Sequence, residues 1–335
     1  AEATIAEAFA LAGGETGPWM TRARLHFTLH RLDAAIADLD KMSERFFIDD
    51  RQQAAIDGLR ADIAFQRGDY GVALAEFLRI ADAKPNVTSL ARLATYRWKT
   101  GDFDGADALY KRALEAYDGT AAQPRAWLRL MRGLLDLDRG RYHEAYAHYQ
   151  HAEAELSGFW LIEEHIAEIR ALLGDSAAAM DLYEDLIVRT ENPEFMDALA
   201  DLKEAHGDEA RATALRTAAR EAYEALLERY PEAAAGHALG HYLDRGDAPA
   251  RALELAQANH AARPNGAAVI ALAQALLAAG EGAQAQQTIE AALATKWSSA
   301  ELHFVASEIF AARGDAERAA AELAAAKQIN PRIDD

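Results

Sequence analysis

The sequence feature that most constrains the fold is a short glycine turn that recurs along almost the whole chain. Successive turn glycines lie 33, 39, 34, 33, 39, 34 and 34 residues apart. The eight turns are Gly68-Asp69, Gly101-Asp102, Gly140-Arg141, Gly174-Asp175, Gly207-Asp208, Gly246-Asp247, Gly280-Glu281 and Gly314-Asp315. A near-constant period of this length is typical of stacked structural repeats, so we expect the chain to fold as an array.

Small side chains stand at fixed distances on either side of each turn. Seven residues before the glycine the chain has Ala61, Ala94, Gly133, Ala167, Ala200, Ala273 and Ser307. Five residues after it the chain has Ala73, Ala106, Ala145, Ala179, Ala212, Ala285 and Ala319, and the turn at Gly246 is displaced by one residue. Small residues let two helices approach closely, glycine supplies the positive φ that ends a helix, and Asp caps the next one. Each unit is therefore predicted to be a helix hairpin.

This pattern of a small residue, Gly-Asp and alanine in a 34-residue period resembles the tetratricopeptide repeat family. The resemblance covers about Trp19 to Pro331 and gives nine hairpins, the first of which has His30 where glycine is usual. It implies an all-α, right-handed solenoid of stacked antiparallel helix hairpins, with the first helices on the concave side. We expect residues 15–335 to form one elongated solenoid domain, preceded by an extra N-terminal helix within residues 1–14. Insertions are expected at Asp118–Gln123, as a loop, and at Ala219–Tyr230, as a longer second helix.

Charge and composition exclude several classes of function. The net charge of −19 disfavours nucleic acid and anionic membrane surfaces, because both bind to basic faces. The most apolar stretch, about 13 residues, is shorter than the roughly 20 needed to cross a bilayer. No nucleophile motif or phosphate loop is present, so we expect a protein that is not an enzyme. The absence of cysteine and of an initiator Met favours an exported, periplasmic bacterial protein.

The resemblance also indicates where a ligand would lie, because inner-face residues occur six and ten positions before each turn glycine. In the middle of the chain these positions are acidic or imidazole, and they predict one contiguous groove patch. Its residues are Glu164, Glu168, Asp197, Asp201 and, with the one-residue displacement at Gly246, His237 and His241; Glu204 and Asp244 lie one helical turn further along. Phe65, Trp98 and Trp127 are candidate apolar contacts nearer the N-terminus, although packing in the core is the commoner role of such rings.

The patch predicts the charge of a partner. Some members of the family hold a peptide carboxylate with inward Lys, Asn and Arg. The matching positions here are Asp62, Thr95, Glu168 and Asp201, and the three acidic residues among them would repel a carboxylate. We therefore expect a protein or peptide partner with a basic segment, bound by a scaffold without a resident cofactor.

Two alternatives remain open at this point. In the first, His237 and His241 bind a divalent transition metal together with Asp197, Asp201 or Glu168, since imidazoles one helical turn apart can reach one ion. The simpler interpretation of the same residues is a polar face that is exposed to solvent and binds no metal. In the second, the protein is a structural subunit that self-associates through its C-terminal helix.

Overall fold

The computed structural model describes residues 2–12, 14–244 and 248–334, and these residues form 19 helices without a β-strand. In chain order the helices are α1 Glu2–Ala12, α2 Thr16–Thr28, α3 Leu32–Arg45, α4 Asp50–Gln66, α5 Tyr70–Ala83, α6 Val87–Lys99, α7 Phe103–Glu115, α8 Ala122–Leu137, α9 Tyr142–Glu155, α10 Trp160–Leu172, α11 Ser176–Thr190, α12 Pro193–Ala205, α13 Glu209–Arg229, α14 Pro231–Asp244, α15 Pro249–Ala262, α16 Gly266–Ala278, α17 Gly282–Leu293, α18 Ala300–Ala312 and α19 Ala316–Ile329. None of these helices combines the length and the apolar character that crossing a membrane would require.

The helices pair into nine hairpins, which confirms the all-α solenoid. Hairpin 1 is α2–α3, each following pair is the next hairpin, and α18–α19 is hairpin 9; α1 precedes them and packs on α2. Each hairpin also packs against the next in the chain. The longer second helix is α13, with 21 residues, whereas the other insertion leaves residues 116–121 as the loop before α8.

The turn chemistry follows the prediction. In the described part of the chain, seven turn glycines have φ between +69° and +89°, and His30 takes the same left-handed conformation at +57°. The eighth predicted turn, Gly246-Asp247, lies outside the described residues. Asp102, Asp208 and Asp315 each accept a hydrogen bond from a backbone N–H in the first turn of the next helix, whereas Asp69 and Asp175 do not.

The small residues beside the turns lie at the crossing of each hairpin. Ala73, Ala106, Ala145, Ala179 and Ala285 are completely buried. A larger side chain at these positions would push the two helices apart, because protein cores are packed without spare volume. The repeat pattern therefore sets the packing within each hairpin.

The C-terminal hairpins return to the N-terminal ones, and nothing in the repeat pattern predicts this. The turn of hairpin 1 meets the start of hairpin 7, where Nδ1 of His30 lies 3.1 Å from the carbonyl oxygen of Glu232. The turn of hairpin 2 meets the start of hairpin 8, where the backbone N–H of Gly266 donates to the hydroxyl of Tyr70 over 2.7 Å. Each turn thus meets the beginning of the hairpin six places further along.

The same offset continues at hairpins 3 and 4. The backbone N–H of Ser298, in the loop before hairpin 9, donates to the carbonyl of Lys99 over 3.0 Å, beside a parallel bridge between Thr100 and Ser298. The segment after hairpin 9 reaches the turn of hairpin 4, where Arg332 lies over the ring of Tyr142 at 4.9 Å. We call these four contact points the return seam.

Trp297 anchors the return seam in the largest hydrophobic core. Its ring lies 6.0 Å from the ring of Phe65 and 6.1 Å from that of Tyr70, measured between centroids. Gly266 leaves room for this indole, because a Cβ there would stand 2.1 Å from the Trp297 ring. One buried cluster therefore includes residues from α4 to α8 and from α16 to α18.

Candidate functional site

An apolar cavity opens where the first helices of hairpins 1 to 4 face one another. Its volume is about 410 Å³, and its lining includes Phe65 and Trp127, two of the three aromatic residues predicted for the groove. Three inner-face positions, Asp62, Ala91 and Thr95, also line it, as the repeat offsets indicate. We call this space the first cavity.

One ion pair lies at the edge of the first cavity. Arg92 on α6 donates to the carboxylate of Asp62 on α4, with the closest atoms 2.8 Å apart. The Arg92 guanidinium lies over Gly58, where a Cβ would be 2.2 Å from it. Because Asp62 already has this cationic partner, it adds little negative charge to the groove.

A second apolar cavity lies on the other side of Trp127. It has a volume of about 280 Å³ and is lined by residues of α8 and α10 together with the loop before α10, among them Phe159 and Ile162. Pro124 and Trp127 line both cavities and so form the wall between them. Trp127 is 39% exposed, so this wall is open to a ligand.

Trp98, the third predicted aromatic contact, lies in the core. It is 5% exposed, and its indole N–H donates to the carboxylate of Asp138 over 2.7 Å. Because Trp98 lines neither cavity, its role in the structure is packing.

The predicted acidic patch begins on α10, where Glu164 and Glu168 lie on either side of His165. The Nδ1 atom of His165 is 3.1 Å from Glu164 and 3.0 Å from Glu168. Burial raises the pKa of Glu164 to about 7, and the negative charges of Glu168 and Glu194 act in the same direction. The pKa of His165 is also raised: burial lowers it, but the hydrogen bond to Glu168 and the surrounding carboxylates outweigh that effect.

Two pairs between α12 and α14 continue the patch. His241 is buried and its Nδ1 lies 3.0 Å from both carboxylate oxygens of Asp197. His237 is largely exposed and its Nδ1 lies 2.6 Å from Glu194, a hydrogen bond that raises the pKa of the imidazole. Each of the two predicted histidines therefore has its own carboxylate.

The remaining predicted residues face a cation. Arg216 on α13 donates to Asp201 over 2.9 Å and to Glu204 over 2.6 Å. The side chain of Asp244 lies outside the described residues. The five residues predicted to share a metal, His237, His241, Asp197, Asp201 and Glu168, are thus not gathered into one set of ligands. Within the described residues, the group of three that lies within reach of one ion is Glu164, His165 and Glu168.

Sequence reasoning missed His165 and Glu194. The repeat offsets direct attention to positions six and ten before each glycine, whereas His165 lies nine and Glu194 thirteen residues before theirs. His165 could have been found from the sequence, because it directly follows Glu164, a carboxylate predicted on the inner face.

Comparisons with known proteins give one family match and several similar solved structures. Residues 20–87 and 270–332 match the family described as tetratricopeptide repeat. A tetratricopeptide repeat protein from Parabacteroides merdae is 18% identical, with a TM-score of 0.43, over 72% of this chain and 93% of that one. Yeast Tom70 is 15% identical, with a TM-score of 0.48, over 97% of this chain and 80% of that one. No curated protein matches the sequence. Repeats near both ends therefore match the tetratricopeptide repeat family, and the hairpins between them follow the same design.

Proposed function

We propose that the protein is a non-enzymatic scaffold whose inner face binds one segment of a partner protein. Members of this repeat family act in protein–protein interaction. The observation that carries the proposal is the order of features along consecutive first helices. The first cavity lies at α2 to α8, the second at α8 to α10, and the acidic residues follow on α10 and α12.

The two cavities define the apolar part of the partner. Trp127 separates them, so two bulky apolar side chains of the partner would lie one on each side of its indole. Adjacent packed helices are about 10 Å apart. Since an extended chain advances about 3.3 Å per residue, the two anchors would be about three residues apart.

Charge defines the rest of the partner. Glu164 and Glu168 follow the second cavity on the same helix, and the protein as a whole carries a net charge of −19. Lys or Arg beyond the second anchor would lie against these carboxylates. Attraction between the acidic protein and a basic partner is screened by salt, so the affinity is expected to fall as salt is added.

Selection from a phage-displayed library of random 16-residue peptides tests the proposal whatever the identity of the natural partner. We expect enriched peptides to carry two bulky apolar residues about three positions apart, followed by Lys or Arg. Binding of a selected peptide, measured by fluorescence anisotropy, should weaken at least about tenfold in Trp127→Ala, because large aromatic contacts dominate interfaces.

The matched control is Val188→Ala, which truncates an apolar side chain that is 82% exposed on α11, a second helix. This variant should bind the peptide like the wild type. Enrichment of peptides without the apolar and basic features, or a Trp127→Ala variant that binds unchanged, would contradict the proposal.

Self-association through the C-terminal helix is the alternative that stays a prediction. One residue of α19, Ala326, is buried, which leaves the outer side of this helix exposed. Light scattering over a wide concentration range decides between a monomer and an assembly.

A further inference from the structure

The inner side of α10 holds three potential metal ligands that converge. One ligand atom from each of Glu164, His165 and Glu168 lies within 4.8 Å of the other two. The side chains of Glu164 and His165 are 18% and 17% exposed, and that of Glu168 is 38% exposed. The cluster is thus mostly shielded from water yet open on one side.

The negative charge of this cluster is not balanced by a permanent cation. Among the described residues, no Lys or Arg forms an ion pair with Glu164 or Glu168; both face His165. Asp201 and Glu204, by contrast, share Arg216. Partly buried carboxylates of this kind are costly unless a proton or a cation neutralises them.

A buried phenol next to the cluster lacks a partner. The ring of Tyr149 stacks on that of His165, with centroids 5.5 Å apart and an interplanar angle of 22°. Tyr149 is completely buried, and its hydroxyl has no hydrogen-bond partner among the described residues. The stacked ring therefore places this unpartnered phenol directly against the imidazole of the cluster.

Comparison with the neighbouring hairpin shows why the Tyr149 hydroxyl has no hydrogen-bond partner among the described residues. Tyr110 holds the same position nine residues after its turn glycine, and its hydroxyl bonds Thr95 over 2.8 Å. The residue that corresponds to Thr95 in the hairpin of Tyr149 is Leu134, which has no polar atom in its side chain. A buried hydroxyl without a partner costs about 1–3 kcal/mol, so a polar ligand at the cluster would satisfy it.

We propose that Glu164, His165 and Glu168 bind one divalent transition metal ion of the Zn²⁺ class. One imidazole nitrogen and two carboxylate oxygens are ligands that such ions take in proteins, and a fourth position is left for water. The hydroxyl of Tyr149 would hold that water, as residues around metal ligands commonly do. This site differs from the ligand set predicted from the sequence. Its two carboxylates are also those that would face the basic residues of the proposed partner, so Zn²⁺ and that segment would compete for them, whereas the titration with metal requires no partner.

Calorimetric titration of the untagged, chelator-treated full chain with ZnSO₄ tests the site, and visible absorption of the Co²⁺-loaded protein reports the ligand geometry. We expect one ion per chain with a Kd in the micromolar range or below. His165→Ala and Glu168→Gln should each weaken binding at least about tenfold, and Tyr149→Phe about tenfold. Glu168→Gln is conservative and partly exposed, and far-UV circular dichroism checks that each variant is folded.

The control is a His237→Ala/His241→Ala double variant, which removes the two imidazoles of the other ligand set and should leave Zn²⁺ binding unchanged. Two results would overturn the proposal. One is no saturable binding of Zn²⁺ below millimolar concentration. The other is Zn²⁺ binding that is unchanged in both His165→Ala and Glu168→Gln. This result includes the case in which only the His237→Ala/His241→Ala variant loses Zn²⁺ binding.

Discussion

At the scale of single residues, the turn glycines are the positions that the sequence determines most fully. Period and residue type together predict a left-handed backbone at each turn, and the described glycines have it. His30 takes the same conformation without being glycine, so the position and not the residue type carries the geometry. Trp98 shows the limit, because hydropathy alone cannot distinguish a ring in the core from one in a groove.

A substitution at one turn separates backbone conformation from packing. Gly174 has φ of +89°, and a Cβ added there would meet no atom within 4 Å. Gly174→Ala should therefore lower the free energy of unfolding by about 1–2 kcal/mol, because alanine disfavours positive φ. The measurement is urea unfolding followed by circular dichroism.

Gly71→Ala is the matched control, since Gly71 lies in helix α5 without positive φ and also has open space around it. This variant should leave stability unchanged or raise it by up to about 1 kcal/mol. Equal destabilisation by the two substitutions would show that the turn does not require a left-handed residue.

At the scale of one element, α10 combines what the sequence could predict with what it could not. Glu164 and Glu168 were predicted on the inner face, because they share one side of a helix four residues apart. His165 was not, since its position depends on how its side chain bends back between the two carboxylates. The offsets predict which face a residue occupies, but the partner that its side chain reaches depends on packing.

The pKa of Glu164 predicts a pH dependence that belongs to this helix. Its value is raised from 4.5 to about 7, so the folded state binds a proton more tightly than the unfolded state. The resulting stabilisation is complete below about pH 4.5 and is lost as the pH rises through 7. Glutamine does not titrate, so Glu164→Gln does not lose this stabilisation as the pH rises. His165, Glu168 and Glu194 still face the site in this variant.

We therefore expect Glu164→Gln to gain about 1–3 kcal/mol of unfolding free energy relative to the wild type between pH 5 and pH 8, since one pKa unit corresponds to about 1.4 kcal/mol. Urea unfolding at the two pH values measures this gain. Glu228→Gln, at an exposed position on α13, should show the same difference from the wild type at both pH values. If the unfolding free energy of Glu164→Gln also differed from that of the wild type by the same amount at both pH values, the raised pKa of Glu164 would be contradicted.

At the scale of the whole molecule, the stacking of neighbours was predictable and the return seam was not. The repeat pattern encodes contacts within a hairpin and with the next one, which is the nearest-neighbour character of repeat proteins. Trp297 lies in a loop between hairpins and Gly266 at the first residue of α16, where no repeat position marks them. Only the accumulated rotation from hairpin to hairpin brings these segments to the turns of hairpins 2 and 3.

The return seam matters for binding because it supports the first cavity. Phe65 and Tyr96 line that cavity, and both belong to the buried cluster that contains Trp297. The shape of the groove is therefore set by contacts between hairpins far apart in sequence. The C-terminal part of the stacked hairpins packs against the N-terminal part, and this contact fixes the surface to which a partner would bind.

A cysteine pair at Thr100 and Ser298 tests this claim most directly, because the chain has no cysteine of its own. Bridged residues lie about 5 Å apart, which is within the range of a disulfide. Under mild oxidation, the Thr100→Cys/Ser298→Cys variant should form an intramolecular disulfide, seen as a faster, reducible band and by intact mass. Each single variant can cross-link only between molecules. If the double variant stays reduced, or forms only dimers as the single variants do, the hairpins do not return as described.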